Sequence, residues 1–484
     1  MIVTVMFQSV AALETTIMKK IKKQNHSKVA IFAGAAVLMA LTPQTHAQSS
    51  VDALLNKLEQ KGILSVDEAK ELKAENATNS VSDFNKALNA KFQMPDWVTS
   101  YKLSGDFRGR FDDVTTQTPF PYASGKTPDD NNMRLRYRLR VGLTVNMKDD
   151  LQLGFRLGTD DTGKGADATT GNPLSNNSTL QGNGSKKPVW VDAAYGKWTP
   201  INDGTWMVAG TIGKMDQPFQ ASSMVFDPDY TPEGAALQAT YKINDQNSLA
   251  FNGAAFVLDQ VNTRGPFLLG AQAIWNANWT SKVGTSVGIA GYDIANDKNI
   301  ITSSAGPNPY DSNLGNTMVG ASTGTFARHF NPIVASGSIT YTLDSFPLYT
   351  GAFPVKLAGE YLDNPAASSN NKGWWGGVTL GKSGKKGAWD LSYRYQRLEA
   401  DAWWDQIVDD DNVAFFPVSN TFGNTAVAAA GGTDIQGHLV KFNYSIFDSL
   451  TFSFTCYIND LINNPVPSQK TDAIHAMADL MWKF

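Results

Sequence analysis

Cysteine is almost missing from this chain of 484 residues: Cys456 stands alone. No intramolecular disulfide can form, so a small disulfide-stapled secreted domain is excluded. Long apolar runs are missing too. The longest, "VAIFAGAAVLMAL" at 29–41, has 13 residues, and a membrane-crossing helix needs roughly 20. Charge is sparse at 18% and sums to −4, with only five histidines. A surplus of basic residues is therefore lacking, and with it the electrostatic footprint of a nucleic-acid binder. What the chain has in quantity is 41 Gly, 25 Phe, 15 Tyr and 12 Trp at a mean hydropathy of −0.26. It is aromatic without being greasy.

The N-terminal region reads as an export signal. "MKKIKKQNHSK" at 18–28 is a basic region, the apolar run follows, and "THA" at 45–47 before Gln48 offers a small-residue cleavage site. Residues 1–47 are expected to be a cleaved leader, with the 17 residues before Met18 an upstream extension. Losing five lysines and one glutamate moves the formal charge from −4 to −8. Next, "SVDALLNKLEQKGILSVDEAKELKAEN" at 50–76 carries Val51, Leu54, Leu55, Leu58 and Ile63 at helical spacing. Ser65 and Glu68 then restart a helix as a capping box. Residues 48–92 are expected to form a periplasmic helical segment and linker, either a short hairpin or plug or, less well supported by so short a pattern, a coiled-coil stalk.

From residue 98 the period becomes two. "YKLSGDFRGRF" (101–111) sets Tyr101, Leu103, Gly105, Phe107 and Phe111 against Lys102, Asp106, Arg108 and Arg110. "MRLRYRLRVGL" (133–143) sets Leu135, Tyr137, Leu139 and Val141 against Arg134, Arg136, Arg138 and Arg140, and "DLQLGFRLG" (150–158) repeats the pattern around Arg156. Sixteen such segments are expected: 98–112, 131–147, 150–160, 188–198, 205–213, 233–243, 246–259, 266–281, 283–294, 333–344, 353–362, 373–382, 387–397, 435–447, 450–459 and 473–484. Short strands at 222–228 or within 299–330 would raise the number to 18.

The connections are mostly short after even-numbered segments and long after many odd-numbered ones. A soluble sandwich has no reason to sort its loops this way, whereas a transmembrane β-barrel does. The expected fold is an all-β antiparallel transmembrane barrel over 98–484. Its closing strand is "IHAMADLMWKF" at 474–484, because only a closed sheet leaves no unpaired edge in lipid.

In such a barrel the apolar face meets lipid, and one arginine placed there at mid-membrane would cost roughly 2 to 4 kcal/mol. Arg108, Arg110, Arg134, Arg136, Arg138, Arg140 and Arg156 are therefore expected to form a basic wall inside. The acidic segment "KMDQPFQASSMVFDPDYTPE" at 214–233, with Asp216, Asp227, Asp229 and Glu233, is expected to fold inward as a constriction and set a transverse field against that wall. The competing expectation is an arginine ladder compensated by Asp106, Asp390 and Asp479. Trp97, Trp190, Trp198, Trp206, Trp374, Trp389 and Trp482 are candidates for interfacial girdles. Trp403 and Trp404 are candidates for loop packing or, less favoured, a sugar-stacking platform. "DPD" at 227–229 and "DDD" at 409–411 read as solvated loop acid in preference to a calcium site, since neither has a dedicated ligand loop.

With "LLNKLEQKGILSVDEAKEL" (54–72), "LSGDFRGRF" (103–111), "MRLRYRLRVGL" (133–143) and "AGTIGKMDQPF" (209–219) in view, the chain resembles the putative porin family of Gram-negative outer membranes. The resemblance covers residues 49–484 and implies passive diffusion of small hydrophilic solutes or ions. It needs no cofactor, has outer-membrane lipid or lipopolysaccharide as its surroundings, and permits a homotrimer. Contact with periplasm or cell wall through residues 49–90 is a further expectation. Two alternatives stand beside it, a structural or adhesive barrel and a substrate-specific gated channel. An enzyme is set aside, since only His329, His438 and His475 lie in the barrel region and neither a serine-hydrolase elbow nor a metal helix is expected.

Overall fold

The computed structural model describes residues 95–117, 129–161, 171–259, 265–300, 314–319, 325–417, 427–463 and 471–484. The expected leader (1–47) and helical segment (48–92) lie outside the described residues. Sixteen long strands build the barrel: β1 (Val98–Gln117), β2 (Asp129–Met147), β3 (Leu151–Thr159), β4 (Val189–Asn202), β5 (Trp206–Lys214), β6 (Glu233–Lys242), β7 (Asn247–Val257), β8 (Phe267–Asn278), β9 (Val283–Ala295), β10 (Ile333–Leu343), β11 (Phe353–Asp363), β12 (Lys372–Gly381), β13 (Trp389–Leu398), β14 (Ile435–Phe447), β15 (Leu450–Leu461) and β16 (Ala473–Lys483). Each pairs antiparallel with the next, and β16 pairs with β1 from Asp106↔Lys483 to Thr116↔Ala473, closing the circuit.

Alternation dictates the two surfaces. Leu103, Leu135, Ile212, Leu237 and Ile289 are all more than half exposed, and they lie on the outer face of their strands. The alternate positions on β1 and β2, with the register pairs Arg108↔Arg138 and Arg110↔Arg136, take the opposite face. Such a belt of exposed apolar side chains is stable against hydrocarbon and not against water. At the short-turn rim the belt ends in aromatics. Trp206 stacks near Tyr241 at 4.5 Å, Phe346 on Phe353 at 4.0 Å, and Trp482 near Phe107 at 5.7 Å. Trp97, Trp198 and Trp279 are exposed at the same rim. Trp374 is exposed at the opposite rim beside Tyr395. Trp190 departs from the expectation. It lies between exposed Val189 and Val191, so its indole points inward, toward Gly171.

Several boundaries differ from the periodic reading, most of all at β1 and β4. β1 and β2 run past the apolar pattern as a paired arm, because Thr115, Thr116 and Gln117 continue the ladder with polar side chains that leave no hydrophobic alternation to read. β4 continues through "TPIN" across a register shift between Trp198 and Ile201. That irregularity accommodates Pro200, which has no N–H to donate. Residues 222–228 form turns, and 318–319 pairs only with 325–326 in a separate ladder, so neither adds a strand to the barrel. The dipeptide 178–179 pairs with Arg136 and Tyr137 of β2 beyond the end of β3.

The apolar core lies inside the barrel. Phe219, Met224, Val225, Phe226 and Tyr230 from the β5–β6 connection pack with Trp403, Trp404, Ile407 and Val408 from the β13–β14 connection against the inward rings Phe256 and Tyr292.

Candidate functional site

The inner surface is built by residues whose alternation leaves them no other place to go. On β1, Asp106, Arg108, Arg110 and Asp112 follow one another on one face; on β2, Arg134, Arg136, Arg138 and Arg140 stand opposite. Each guanidinium has a partner. Arg138 donates to Asp106 at 3.0 Å and Arg140 at 2.8 Å, while Arg134 and Arg136 share Asp112 at 3.0 and 3.3 Å. Arg110 grips Asp479 of β16 through Nε at 2.8 Å and Nη2 at 3.0 Å. Arg108 donates to Asn177 at 2.6 Å with Asp479 at 3.9 Å, and Arg156 pairs with Asp192.

Loop carboxylates complete the set. Asp229 accepts from Arg138 at 3.0 Å and Arg140 at 3.3 Å, and Asp216 from Arg156 at 2.7 Å. The 214–233 segment is held on other strands as well: Ser222 by Glu360 of β11, Gln220 by Gln272 of β8 at 2.9 Å, and Ser223 by Arg394 of β13 at 2.7 Å.

The four acids of that segment have different fates. Asp216 and Asp229 reach arginines. Asp227 is buried, accepting from the amides of Asp229 and Asp410, and burial together with Asp410 and Asp409 pushes its carboxyl well above the usual range. Glu233 pairs with Lys214 at 3.2 Å. The acids that reach the wall do so in direct contact, Asp229 with Arg138 and Arg140 and Asp216 with Arg156. The competing ladder is also present in part, through Asp106 and Asp479. Asp390 takes no share, accepting instead from Asn443 at 2.7 Å and the Ser383 amide at 3.0 Å.

The sequence reading missed a second inward segment, 399–417. The Trp403 indole donates to the Val225 carbonyl at 2.8 Å, and the amides of Asp227 and Asp409 bond to Ile407 and Ser223 across the two segments. Trp403 and Trp404 are fully buried, which leaves no open face for a sugar and assigns them to loop packing. The "DDD" stretch also departs from the expected solvated acid. Asp409 accepts from Tyr457 at 3.0 Å and Ser223 at 2.7 Å, and Asp411 from Arg110 at 3.2 Å. His475 bridges the Asp411 carbonyl at 2.8 Å and Asp112 at 3.1 Å. The available signal was the pairing of three adjacent acids with a double tryptophan, a composition suited to an enclosed loop.

Among the described residues no group of three or more His, Cys, Asp or Glu is placed to hold a metal ion. Gly284-Thr285-Ser286-Val287-Gly288 spells Gly-x-Ser-x-Gly, contrary to the expectation of no such stretch. It runs mid-strand in β9, paired on both sides, and is therefore not the strand-to-helix turn that a nucleophile needs.

Residues 112–345, just under half of the chain, match the family described as "Putative porin". None of the curated proteins compared matches. Among solved structures, the chain is similar to a Pseudomonas putida OprB, at 11% identity and a TM-score of 0.46, covering 79% of this chain and 94% of that one. It is also similar to a Rhodopseudomonas blastica porin variant, at 10% identity and a TM-score of 0.37, covering 80% and 100%. The chain is a large single-chain antiparallel barrel that resembles outer-membrane porins. Its closed sheet and apolar belt place it in the outer membrane.

Proposed function

We propose that this barrel is a passive diffusion porin for small hydrophilic solutes or ions, with the arginines of β1–β3 lining its lumen and the 214–233 segment narrowing it. The observation that carries the reading is the pairing of a closed sixteen-strand sheet with an inner surface of charged and hydroxyl groups. Polar side chains on that side are costly unless they are paired, hydrogen-bonded or solvated, and Lys102, Lys356, Lys441 and Lys483 on that face are exposed. Among the described residues it is the inner loops that narrow the lumen. The arginines act mainly as anchors, since each is held by a carboxylate or amide of wall or loop.

A second reading, a gated channel, is favoured by one observation: the 399–417 segment buries both tryptophans against the 214–233 segment. Mature protein in a planar bilayer separates the two. Large, stable current steps support the open porin, rare steps that increase with voltage support a gate, and no steps from a verified folded barrel remove both. In the same reading residues 1–47 are a cleaved leader, tested by finding Gln48 at the mature N-terminus. A homotrimer and a periplasmic contact through 49–90 are tested by cross-linking in intact outer membranes.

A further inference from the structure

Charge on the inner face is divided by height. The arginines, all engaged, occupy the middle and the long-loop half. The lysines occupy the short-turn half: Lys102 four residues into β1, Lys197 five before the end of β4, Lys356 three into β11, Lys441 six before the end of β14 and Lys483 closing β16. Their register partners show that all five point inward. Lys102 lies opposite Thr144, Lys197 opposite Gln152, Lys356 opposite Thr340, Lys441 opposite Ser392, and Lys483 opposite Asp106. Four are exposed and Lys197 is half-buried.

None of these ammonium groups has a carboxylate within ion-pair distance among the described residues. The inward acids are committed elsewhere: Asp106, Asp112, Asp192 and Asp479 to arginines, Glu360 to Ser222 and Asp390 to Asn443. The sixth inward lysine, Lys242, is neutralised by Asp245 at 2.7 Å. At the rim Asp344 holds Lys282 and Asp203 caps its own turn, while Asp149 and Asp150 sit on the β2–β3 turn beyond the strands. Between β5 and β10 the same height is hydrophilic and its lysines are paired, Lys242 with Asp245 and Lys282 with Asp344. A cavity of about 350 Å³ there is lined by Asn276, Asn278, Ser338, Thr340 and Thr342 with Lys356.

We propose that the short-turn half of the lumen is an anion-recruiting vestibule, and that Lys102, Lys197, Lys356, Lys441 and Lys483, not the arginine wall, set a preference for small anions such as chloride or carboxylates. An ion-paired guanidinium presents little net field, whereas a solvated, unpaired ammonium ring raises the local anion concentration. The inference rests on the reading of the barrel as an open pore.

The test is the chloride-to-potassium permeability ratio of the mature protein in planar bilayers, at about 0.1 M salt, where the Debye length is about 10 Å. The triple substitution Lys102→Glu, Lys356→Glu, Lys441→Glu should lower the ratio by about tenfold, an effect that fades at about 1 M salt. The same positions changed to Gln should give an intermediate value, and heat-modifiable migration verifies folding of each variant. Current steps with an unchanged ratio overturn the vestibule and leave the porin reading standing. No steps from the folded unsubstituted barrel overturn the porin reading itself.

Discussion

Arg110 shows how much one side chain inside this barrel must do. It is 5% exposed, binds Asp479 (11% exposed) on the neighbouring strand in two-pronged fashion, and extends its remaining nitrogen to Asp411 of a loop. Removing one partner of a buried pair leaves an uncompensated charge, which costs about 3 to 5 kcal/mol. Asp479→Ala should therefore destabilise the barrel by about that amount, less whatever Asp411 recovers by itself. Urea unfolding in lipid vesicles reads this directly, and a variant as stable as the parent would show that the pair contributes nothing. Asp229→Asn is the milder case, since Arg138 and Arg140 both keep Asp106. It should cost under about 1 kcal/mol in stability yet raise unitary conductance, because the 214–233 segment loses its hold on β2.

At the scale of the element, the buried Asp405 and Asp434 in the described part of the β13–β14 connection are expected to make its packing respond to pH. Burial lifts the Asp405 carboxyl to about 6, although Gln406 and the amides of Asn316 and Leu314 favour its anion. Burial likewise raises Asp434 to about 7 against the pull of Asn463. Both groups bind protons more tightly in the packed segment than in an unfolded chain, whose aspartates titrate near about 3.9. Packing is therefore strengthened as pH falls from about 7 to about 4 and weakened as pH rises through that window. His329, raised by Asp297 and Asp293 despite partial burial, acts in the same sense. Amide exchange across 399–417 should be slower at pH 5 than at pH 7.5 after correction for intrinsic rates, and equal protection would refute this. Asp409→Asn with Asp411→Asn should release the segment from Arg394 and Arg110. Accelerated proteolysis of the 399–417 stretch in the folded barrel is the readout.

The whole molecule depends on one seam. Phe484 exchanges backbone bonds with Gly105 at 2.9 and 3.1 Å, and its ring lies over that glycine. A Cβ there would also meet the Arg140 carbonyl. Gly105→Val should therefore block the last register pair and cut the yield of heat-modifiable folded barrel severalfold, while Gly109→Ala, with open space at its Cβ, should fold as the parent does. Equal yields for both would show that the terminal contact is dispensable. Alternation alone made the sixteen strands, their in-and-out faces and the closing role of β16 legible, because a two-residue period is a local property that every residue of a lipid-facing strand must obey. It also placed seven arginines on one face. It could not say which carboxylates would meet them, because Asp411 lies 301 positions from Arg110 and Asp479 lies 369, and such separations are joined only when the sheet closes. For the same reason the burial of Trp403, the engagement of Asp409 and Asp411 and the inward turn of Trp190 were decided by tertiary structure: loops carry no period, and their partners are chosen by the walls they fold against.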